Sequence, residues 1–428
     1  LIGSRSPADH AALPLMTDAE ATRAVATLLT VAPLAFQSNR VDLYALASIA
    51  ALQRTLAHGN GEDAAQVYSL YSVVHGALTG DRAGAAAWSE LALMLDGRDG
   101  GRRSSEVGFV HTWFHSHWQR PLRDSLAISL DAAERGLEGG NLLYACFNLA
   151  GHVIYQQAAG VHLDTVIDTA RRHLARNGGR VKNSAFHLIH EMQVAKALAG
   201  LTDDLCSFSD AEHDEARDLA TILDTPLSNQ IGYFLVSKLK VHALAGHWRQ
   251  ALDWAERAEA ARQAFGGQTA EFELVQYAAL AFAGLALEAA TAPDPRGLAL
   301  AEQLRGWAAL CPVNFAHKAQ LVDGALALAA LLPLGAAQAQ AHGLGIDGDR
   351  GRPGERELAG GAVGRRRRSG GACGRSLAQP PRSRSHQWPG RRRRGRTHIA
   401  HRRGPHPRQP QRGGPRRRRR GSSSPTRH

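Results

Sequence analysis

The chain has 428 residues, and its 44% hydrophobic content is enough for a sizeable core and for two or three domains. Its net charge of +12 averages two unlike parts: residues 336–428 hold 25 Arg, no Lys and 4 acidic residues and carry +21, which leaves −9 for the first 335 residues. This composition excludes a fully disordered chain. The longest apolar runs, which Gly284 and Glu288 interrupt, fall short of the roughly 20 residues of a membrane span.

The N-terminus and the cysteines bear on the cellular compartment. Residues 1–12 lack the basic region and the continuous apolar region of a signal peptide. Four cysteines, Cys146, Cys206, Cys311 and Cys373, are scattered without CxxC or CxH spacing, which is typical of a reducing compartment and predicts a cytoplasmic protein. The first three are predicted to be small apolar side chains in a helical core.

Helix-forming residues dominate the chain up to about Leu334 and predict an all-α fold. Helix starts are expected at residues 17–20 and 209–212, which fit a capping box, and at Thr225-Pro226 and Asp294-Pro295. We expect about fourteen or fifteen helices. Glycines that follow amphipathic stretches mark their predicted ends, at Gly59, Gly80, Gly139-Gly140, Gly160, Gly178-Gly179, Gly200, Gly246 and Gly266-Gly267.

The segments that follow three of these glycines align with one another. The shared pattern is a Gly, an Ala five residues on, a Trp eight on and an Ala twelve on, which gives Gly80, Ala85, Trp88 and Ala92 in one copy and Gly246, Ala251, Trp254 and Ala258 in another. A third copy keeps only Gly140 and Ala145. In such a pattern the glycine reverses the chain, small residues let two helices approach, and the aromatic ring fills the space between helix pairs.

This pattern is typical of tetratricopeptide-like helix pairs. The copies start 60 and 106 residues apart, so the expected fold is a degenerate helix-pair array, an α-solenoid, without a strict 34-residue repeat. A generic α-helical bundle with coincidental Gly and Ala spacing is the alternative. The expected organisation is a lead-in at residues 1–16, the array at residues 17–335 and a separate tail at residues 336–428.

Three neighbouring histidines are the best candidates for a metal site. His111 and His115, at i and i+4, would share one helical face, as the paired histidines of zinc proteases do. His117 would lie about 200° around the helix from His115, and no Cys or Glu stands nearby in the sequence to complete a tetrahedral site. We therefore expect core or interface histidines, with no metal and no cofactor.

Other catalytic patterns are incomplete. His190-Glu191 begins like a zinc-protease or phosphoacceptor motif, but Val194 stands in place of the second zinc histidine, and both His187 and His190 are expected on a buried helix face. The sequence contains no GxxxxGK[ST], GxGxxG or GxSxG motif. Paired acids such as Asp203-Asp204 are expected beside helix starts. The sequence therefore predicts no enzymatic activity and no catalytic residue.

Several stretches resemble the central helical region of large bacterial signalling ATPases. They are LAHGN at residues 56–60, YSLY at 68–71, GD at 80–81, HWQRPLR at 117–123, GNLLYA at 140–145 and PVNFAHK at 312–318. The last two are similar to a Gly-Asp-x-x-Tyr-Ala turn and a Pro-x-Asn-Phe-x-His-Lys signature of that family. The resemblance covers about residues 10–332, and its main carriers are Trp118, Arg120, Pro121, Gly140, Tyr144, Asn314, Phe315, His317 and Lys318.

Members of that family typically join a serine/threonine kinase domain, a P-loop ATPase domain, a tetratricopeptide-like array, a GAF sensor domain and often a histidine kinase. Their catalytic motifs lie outside the matching region, so the resemblance implies no catalytic residue in this chain. It implies a scaffold that relays between an ATPase and sensor modules, with its concave surface or its helix stacking as the two-state element. The implied partners are proteins or neighbouring domains, and no membrane.

Residues 336–428 consist mainly of Arg, Gly, Pro, Ser and His. Arginine clusters at residues 365–368, 391–394 and 416–420 repel one another and offer little apolar surface, so this tail is predicted to be disordered. Two origins are open. Out-of-frame reading of a GC-rich gene would supply these residues, whereas a genuine basic tail would bind nucleic-acid phosphates and make the chain a nucleic-acid-binding protein.

Overall fold

The structure is a computed structural model, and it describes residues 6–38, 40–223 and 229–341. Within those ranges it contains fifteen α-helices and two isolated β-bridges but no β-strand, which confirms the all-α array. The helices are α1 (Ala19–Gln37), α2 (Val41–His58), α3 (Ala64–Thr79), α4 (Arg82–Arg98), α5 (Ser104–Val110), α6 (Asp124–Glu138), α7 (Leu142–Ala158), α8 (Leu163–Asn177), α9 (Lys182–Leu198), α10 (Glu215–Leu223), α11 (Asn229–Leu244), α12 (Trp248–Ala260), α13 (Thr269–Ala289), α14 (Pro295–Leu310) and α15 (Pro312–Ala341).

The helices form two layers. Neighbours in the chain pack as pairs, most extensively α1 with α2, α3 with α4, α6 with α7, α8 with α9 and α11 with α12. Each odd-numbered helix also packs against the next odd-numbered helix, from α1 through α15. The odd-numbered helices therefore make one continuous layer, called here the inner layer, and the even-numbered helices cover it from outside.

The two layers differ in hydrophobic pattern. Inner helix α7 buries eleven of its 17 residues, on all sides, as a helix enclosed by neighbours does. Outer helix α8 buries only six of its 15 residues, among them Val166, Ala170 and His173, which share one face at helical spacing. The outer helices are therefore amphipathic and turn a charged face to solvent.

Predicted helix ends agree with the structure. Gly80 ends α3 with φ of 69°, and Gly246 lies between α11 and α12 with φ of 74°. Both backbones lie in the left-handed region, which glycine adopts without the steric cost of a Cβ atom. The chain can therefore reverse within two or three residues, as a helix pair requires.

Predicted helix starts agree in part. Helix α1 begins at Ala19 as expected, but the predicted capping box at residues 17–20 does not form, because the cap is Asp18, which accepts hydrogen bonds from the backbone N–H groups of Glu20 and Ala21. Asp294 precedes Pro295 at the start of α14, as predicted. The capping box expected at residues 209–212 is wrong, because that stretch forms a tight loop and α10 begins only at Glu215. The start expected at Thr225-Pro226 lies outside the described residues.

The described chain ends differ from the predicted domain boundaries. Residues 7–12 of the lead-in form a short 3-10 turn, and the Nδ2 of Asn60 donates a hydrogen bond to the carbonyl of His10. The lead-in therefore packs against the array. At the other end, α15 continues to Ala341, past the predicted boundary at residue 335. The predicted disorder of the basic tail falls on residues outside the described part of the chain.

Among the described residues, two helices are apolar enough to span a membrane by length and composition alone, Ala19–Phe36 and Thr269–Ala289. The expectation that every apolar run is too short is therefore wrong by that criterion. The second helix, 72% of which is buried, is a core helix of the inner layer, and the first is 28% buried. Core helices of water-soluble proteins pass the same test, so these two helices are weak evidence for a membrane span.

Candidate functional site

The centre of the array is occupied by residues 111–118, called here the central segment. It continues α5 as a π-helical turn, His111–His115, and ends in a 3-10 turn, Ser116–Trp118. In the π-helical turn the backbone N–H of Ser116 donates to the carbonyl of His111, five residues earlier. Wide turns of this kind interrupt regular α-helices mainly at functional sites. All eight residues of the segment are buried.

Besides α5, which it continues, the central segment contacts all seven of the remaining inner helices. Its partners are Phe36 of α1, Ser72 of α3, Tyr155 of α7, His187 of α9, Tyr233 of α11, Phe272 of α13 and Phe315 of α15. Five of these contacts join aromatic rings with centroids between 5.3 and 6.4 Å apart, a range in which ring pairs attract. The side chains of the central segment therefore fill the space that would form the concave surface of a solenoid.

The three histidines of this segment are core side chains, as predicted. Each is hydrogen-bonded to a hydroxyl on a different helix: His111 Nδ1 to Ser89 at 3.0 Å, His115 Nε2 to Ser72 at 2.8 Å and His117 Nδ1 to Tyr155 at 2.7 Å. Burial lowers the pKa of His111 to about 4 and that of His117 to about 3. All three imidazoles are therefore neutral at pH 7, and each is held by a hydroxyl group of its own.

Two of the stretches that carry the family resemblance meet beside the central segment. The Nδ2 of Asn314 donates to the carbonyls of His117 at 2.8 Å and Arg120 at 2.7 Å, and its Oδ1 accepts from the N–H of Leu122 at 3.0 Å. The ring of Trp118 stacks on that of Phe315, with centroids 5.3 Å apart. We call these interactions the closure contact, because they join the middle of the chain to its last described helix.

An ion-pair network extends the closure contact to α4. The guanidinium carbon of Arg82 lies 3.9 Å from the ring centre of Trp118, and its Nη2 donates to Glu271 at 2.8 Å. Glu271 also accepts from Arg262 at 3.0 Å and from the N–H of Gly267 at 2.7 Å. Burial alone would raise the pKa of Glu271, but these donors hold it below its usual value. The carboxylate is therefore ionised and ties α4 to α13.

A cleft of about 650 Å³ opens beside this network. Its lining includes Val73, Gly76, Arg82, Phe114, Trp118 and Glu271. The cleft lies between the α3–α4 turn and the loop before α13, so its two walls come from distant parts of the chain. A ligand or peptide side chain in this cleft would touch both Arg82 and the central segment.

A second group of polar side chains crosses the inner layer, and we call it the inner polar row. It takes one residue from each of five successive inner helices: Gln157 of α7, Glu191 of α9, Lys240 of α11, Glu273 of α13 and Lys318 of α15. The Nε2 of Gln157 donates to Glu191 at 2.7 Å, and the ammonium of Lys240 lies 2.9 Å from Glu273. In the sequence, this row is visible only as isolated charges in apolar helices.

Electrostatics make the members of the row unequal. Burial and the nearby Glu273 raise the pKa of Glu191 to about 8, so this carboxyl group is largely protonated at pH 7. Burial would lower the pKa of Lys240, but Glu273 raises it overall. Burial lowers the pKa of Lys318. The row therefore contains one ion pair between charged groups, Lys240 and Glu273. On one side of this pair lies Glu191, which is largely uncharged at pH 7, and on the other lies Lys318, whose pKa is lowered.

The small residues of the repeat pattern lie at helix contacts. Ala85, Ala92, Ala251 and Ala258 are all at most 2% exposed. A Cβ atom added to Gly76 of α3 would lie 3.2 Å from the Cβ of Ala85, so these two helices approach closely there. This placement agrees with the role that the sequence pattern assigned to these residues.

The two tryptophans of the pattern differ in environment. Trp88 is 2% exposed and packs against His10 and Tyr68, with ring centroids 5.1 and 5.6 Å away. Trp254 is only partly buried and packs 4.7 Å from the guanidinium carbon of Arg257. Both rings pack between helices, since that of Trp254 also lies 6.3 Å from the ring of Phe234 of α11, but Trp254 keeps one side partly exposed.

Of the other resemblance residues, Arg120 takes part in the closure contact only through its carbonyl group, and the rest lie apart from it. Arg120 forms two hydrogen bonds with Glu90, at 2.8 and 2.6 Å, and Pro121 and His317 are exposed. Gly140 turns the chain between α6 and α7 with φ of 77°, and the ring of Tyr144 lies 5.5 Å from that of Phe109. The structure therefore brings together Trp118, Asn314 and Phe315 but not the whole set.

Compared with known proteins, the chain matches no family model and no curated protein.

Proposed function

We propose that this chain is a non-enzymatic helical scaffold, a segment of a bacterial signal-transduction ATPase or kinase that relays contacts between protein modules. The closure contact is the observation that carries this proposal. It joins Asn314 to backbone groups at residues 117–122, almost 200 positions earlier in the chain. A displacement of α15 would therefore act directly on the centre of the array.

The central segment supports the proposed relay because its contacts with many helices leave it little freedom to move. Its rings and hydrogen bonds reach seven inner helices, so a shift of Trp118 cannot be absorbed locally. Packed interiors respond to such shifts by moving between discrete arrangements. Arg82 would carry the shift onward to α4, since it contacts both Trp118 and Glu271.

Apolar surface on the last helix supports a docking role. Leu321, Leu328 and Leu331 of α15 lie on one side of the helix, and each is more than half exposed. Every inner helix packs against the next inner helix, so this face continues the inner layer. We propose that a helix of a neighbouring domain stacks here, since unpaired terminal faces of repeat arrays are covered by further repeats or by partners.

The chemistry of the central histidines supports a structural role. His111, His115 and His117 are buried, neutral and each bonded to a hydroxyl group. A general base must reach substrate and exchange protons near neutral pH. These imidazoles are enclosed in the core and have depressed pKa values, so they suit packing and not proton transfer.

The substitution Asn314→Ala tests the relay. It leaves the carbonyls of His117 and Arg120 without their buried donor, and we expect a loss of about 3 kcal/mol of stability. Hydrogen exchange followed by mass spectrometry should show faster exchange in residues 117–123 and in α4 as well as in α15. The proposal requires this spread across the array.

The matched control is Asn141→Ala, the same substitution at the cap of α7, outside the closure contact. We expect it to cost about 1 kcal/mol and to change exchange only around the α6–α7 turn. Faster exchange confined to α15 in Asn314→Ala would overturn the relay. ATP hydrolysis that co-purifies with the full chain and is abolished by Arg82→Ala would overturn the non-enzymatic assignment.

A further inference from the structure

Cys206 lies beside two histidines in a part of the fold that the relay does not use. The sequence placed this cysteine in a helical core, but it is a partly buried residue of the α9–α10 loop, whereas Cys146 and Cys311 are buried as predicted. His242 stands near the end of α11, and His247 stands in the turn before α12. One ligand atom from each of Cys206, His242 and His247 lies within 4.8 Å of the other two.

The distance between two of these atoms fits a tetrahedral metal site. The Sγ of Cys206 is 3.5 Å from the Nδ1 of His247. A tetrahedral zinc ion with Zn–S and Zn–N bonds of about 2.3 and 2.05 Å would hold its sulfur and nitrogen ligands roughly 3.6 Å apart. A site that combines thiolate and imidazole ligands binds zinc-class ions in preference to magnesium or calcium.

One imidazole nitrogen of this cluster lacks a hydrogen bond. The Nδ1 of His242 is buried, and no described residue forms a hydrogen bond with it. A buried polar atom without a partner costs free energy, so it points to a missing ligand or to an ordered solvent molecule. The ring of Trp254 lies 6.3 Å away on one side and helps to fix the imidazole.

Burial and nearby charges act in different directions on the candidate ligands. Burial and the ammonium of Lys238 lower the pKa of His242, so its imidazole is neutral at pH 7. Burial and Asp204 raise the pKa of the Cys206 thiol, and Lys238 opposes them. The charge of Lys238 is itself offset by Glu215, 2.8 Å away. An incoming cation would therefore have to displace the thiol proton.

The loop that carries the thiol is held in place. The carboxylate of Asp204 accepts a hydrogen bond from the N–H of Cys206 at 2.7 Å, and the ammonium of Lys238 donates to the carbonyl of Cys206. Asp203-Asp204 therefore fix this loop, which corrects the expectation that they stand beside a helix start. Preorganised ligands lose little conformational entropy on metal binding.

We propose that Cys206, His242 and His247 bind one divalent ion of the zinc class, with water in the fourth position. The thiolate sulfur and one nitrogen of each imidazole would donate to the ion, and the thiol proton would pass to solvent. The ion would fasten the α9–α10 loop to the α11–α12 turn. This site is independent of the closure contact and of the proposed relay.

The test is a Co²⁺ titration of the full chain, purified without a histidine tag. We expect one ion per chain with the absorption of tetrahedral Co²⁺ and a thiolate-to-cobalt charge-transfer band, displaced by Zn²⁺. Affinity should rise with pH, because binding releases the thiol proton. Cys206→Ser should abolish the charge-transfer band, and His247→Gln should weaken binding at least about tenfold.

The controls separate this site from the other cysteines and histidines. A variant with Cys146→Ala, Cys311→Ala and Cys373→Ser should keep the band, as should a chain that ends at Ala341 and lacks the histidines of the tail. Circular dichroism checks that Cys206→Ser is folded. X-ray absorption of the Zn²⁺-loaded wild type should show one sulfur among its ligands. A band absent from the wild type, or retained in Cys206→Ser, would overturn the proposal.

Discussion

At the scale of single residues, the inner polar row places titratable groups inside an apolar layer. Glu191 is 4% exposed, and its carboxyl group accepts one hydrogen bond from Gln157. Ionising it costs free energy because the charge would be desolvated and would stand near the carboxylate of Glu273. Lys240 relieves only part of this cost, since it pairs directly with Glu273. The stability of the array should therefore depend on pH.

The pH dependence has a definite sign. The folded-state pKa of Glu191, about 8, lies above its ordinary value of 4.5, so the folded state keeps a proton that the unfolded state releases between those values. The stabilising effect of protonated Glu191 is present below about pH 4.5 and is lost as the pH rises through about 8. Above about pH 8 the carboxylate of Glu191 is ionised while still buried, and its desolvation lowers the stability of the folded state.

Glu191→Gln should reveal this effect, because glutamine mimics the protonated acid and still accepts from Gln157. We expect the variant to be more stable than the wild type by at least about 2 kcal/mol near pH 8 and to lie within about 1 kcal/mol of it near pH 5. Urea midpoints at the two pH values measure the difference. Glu212→Gln, at an exposed position, is the control. An equal difference at both pH values would contradict the assignment.

At the scale of elements, glycines have two distinct uses within helices. Gly232 of α11 is buried, and a Cβ atom at this position would overlap the ring of Phe265, which is fully buried before α13. Gly306 of α14 has no neighbour within 4 Å of the position of an added Cβ atom. The first glycine permits a close approach, whereas the second only weakens its helix.

Alanine substitutions at these two glycines should have opposite signs. We expect Gly232→Ala to lose about 2 kcal/mol of stability, because Phe265 has no space into which it can move. Gly306→Ala should gain about 0.5 to 1 kcal/mol through helix propensity alone. Thermal or urea midpoints of the two variants measure these changes. A Gly232→Ala variant as stable as the wild type would show that α11 and Phe265 are not in this contact.

At the scale of the whole molecule, long-range contacts join parts of the chain that are distant in sequence. Arg82 with Glu271, and Asn314 with residues 117–122, close the array around the central segment. Such contacts form late and at a high entropic cost, because a long loop must be closed first. The array therefore needs its aromatic centre for stability, in addition to the nearest-neighbour packing that holds repeat proteins together.

The basic tail gives a prediction for the whole chain. Single-stranded nucleic acid should bind the full chain through its arginines, weaken steeply as salt rises, and be lost when the chain ends at Ala341. Fluorescence anisotropy with two unrelated oligonucleotides, across a salt series, measures this. Binding that distinguishes the two sequences and persists at physiological salt would overturn the out-of-frame interpretation of the tail.

The sequence by itself determined the features that depend on local free energy. The all-α class follows from helix propensity, and helix ends such as Gly80 and Gly246 follow from the conformational freedom of glycine. Caps such as Asp18 and Asp294 are equally local. The burial of His187 and His190 was readable from the apolar pattern of their helix. These signals lie within one or two helical turns and need no partner.

Tertiary structure alone decided which of these residues meet. Local spacing placed His111 and His115 on one helical face, but only the packing of the layers decides that His111 bonds to Ser89 of α4 and His115 to Ser72 of α3. Neither the closure contact nor the cluster of Cys206 with His242 can be read from the sequence, because its members lie on separate elements. Contacts of this kind depend on how the layers curve, which is a sum of many small packing terms that no short pattern records.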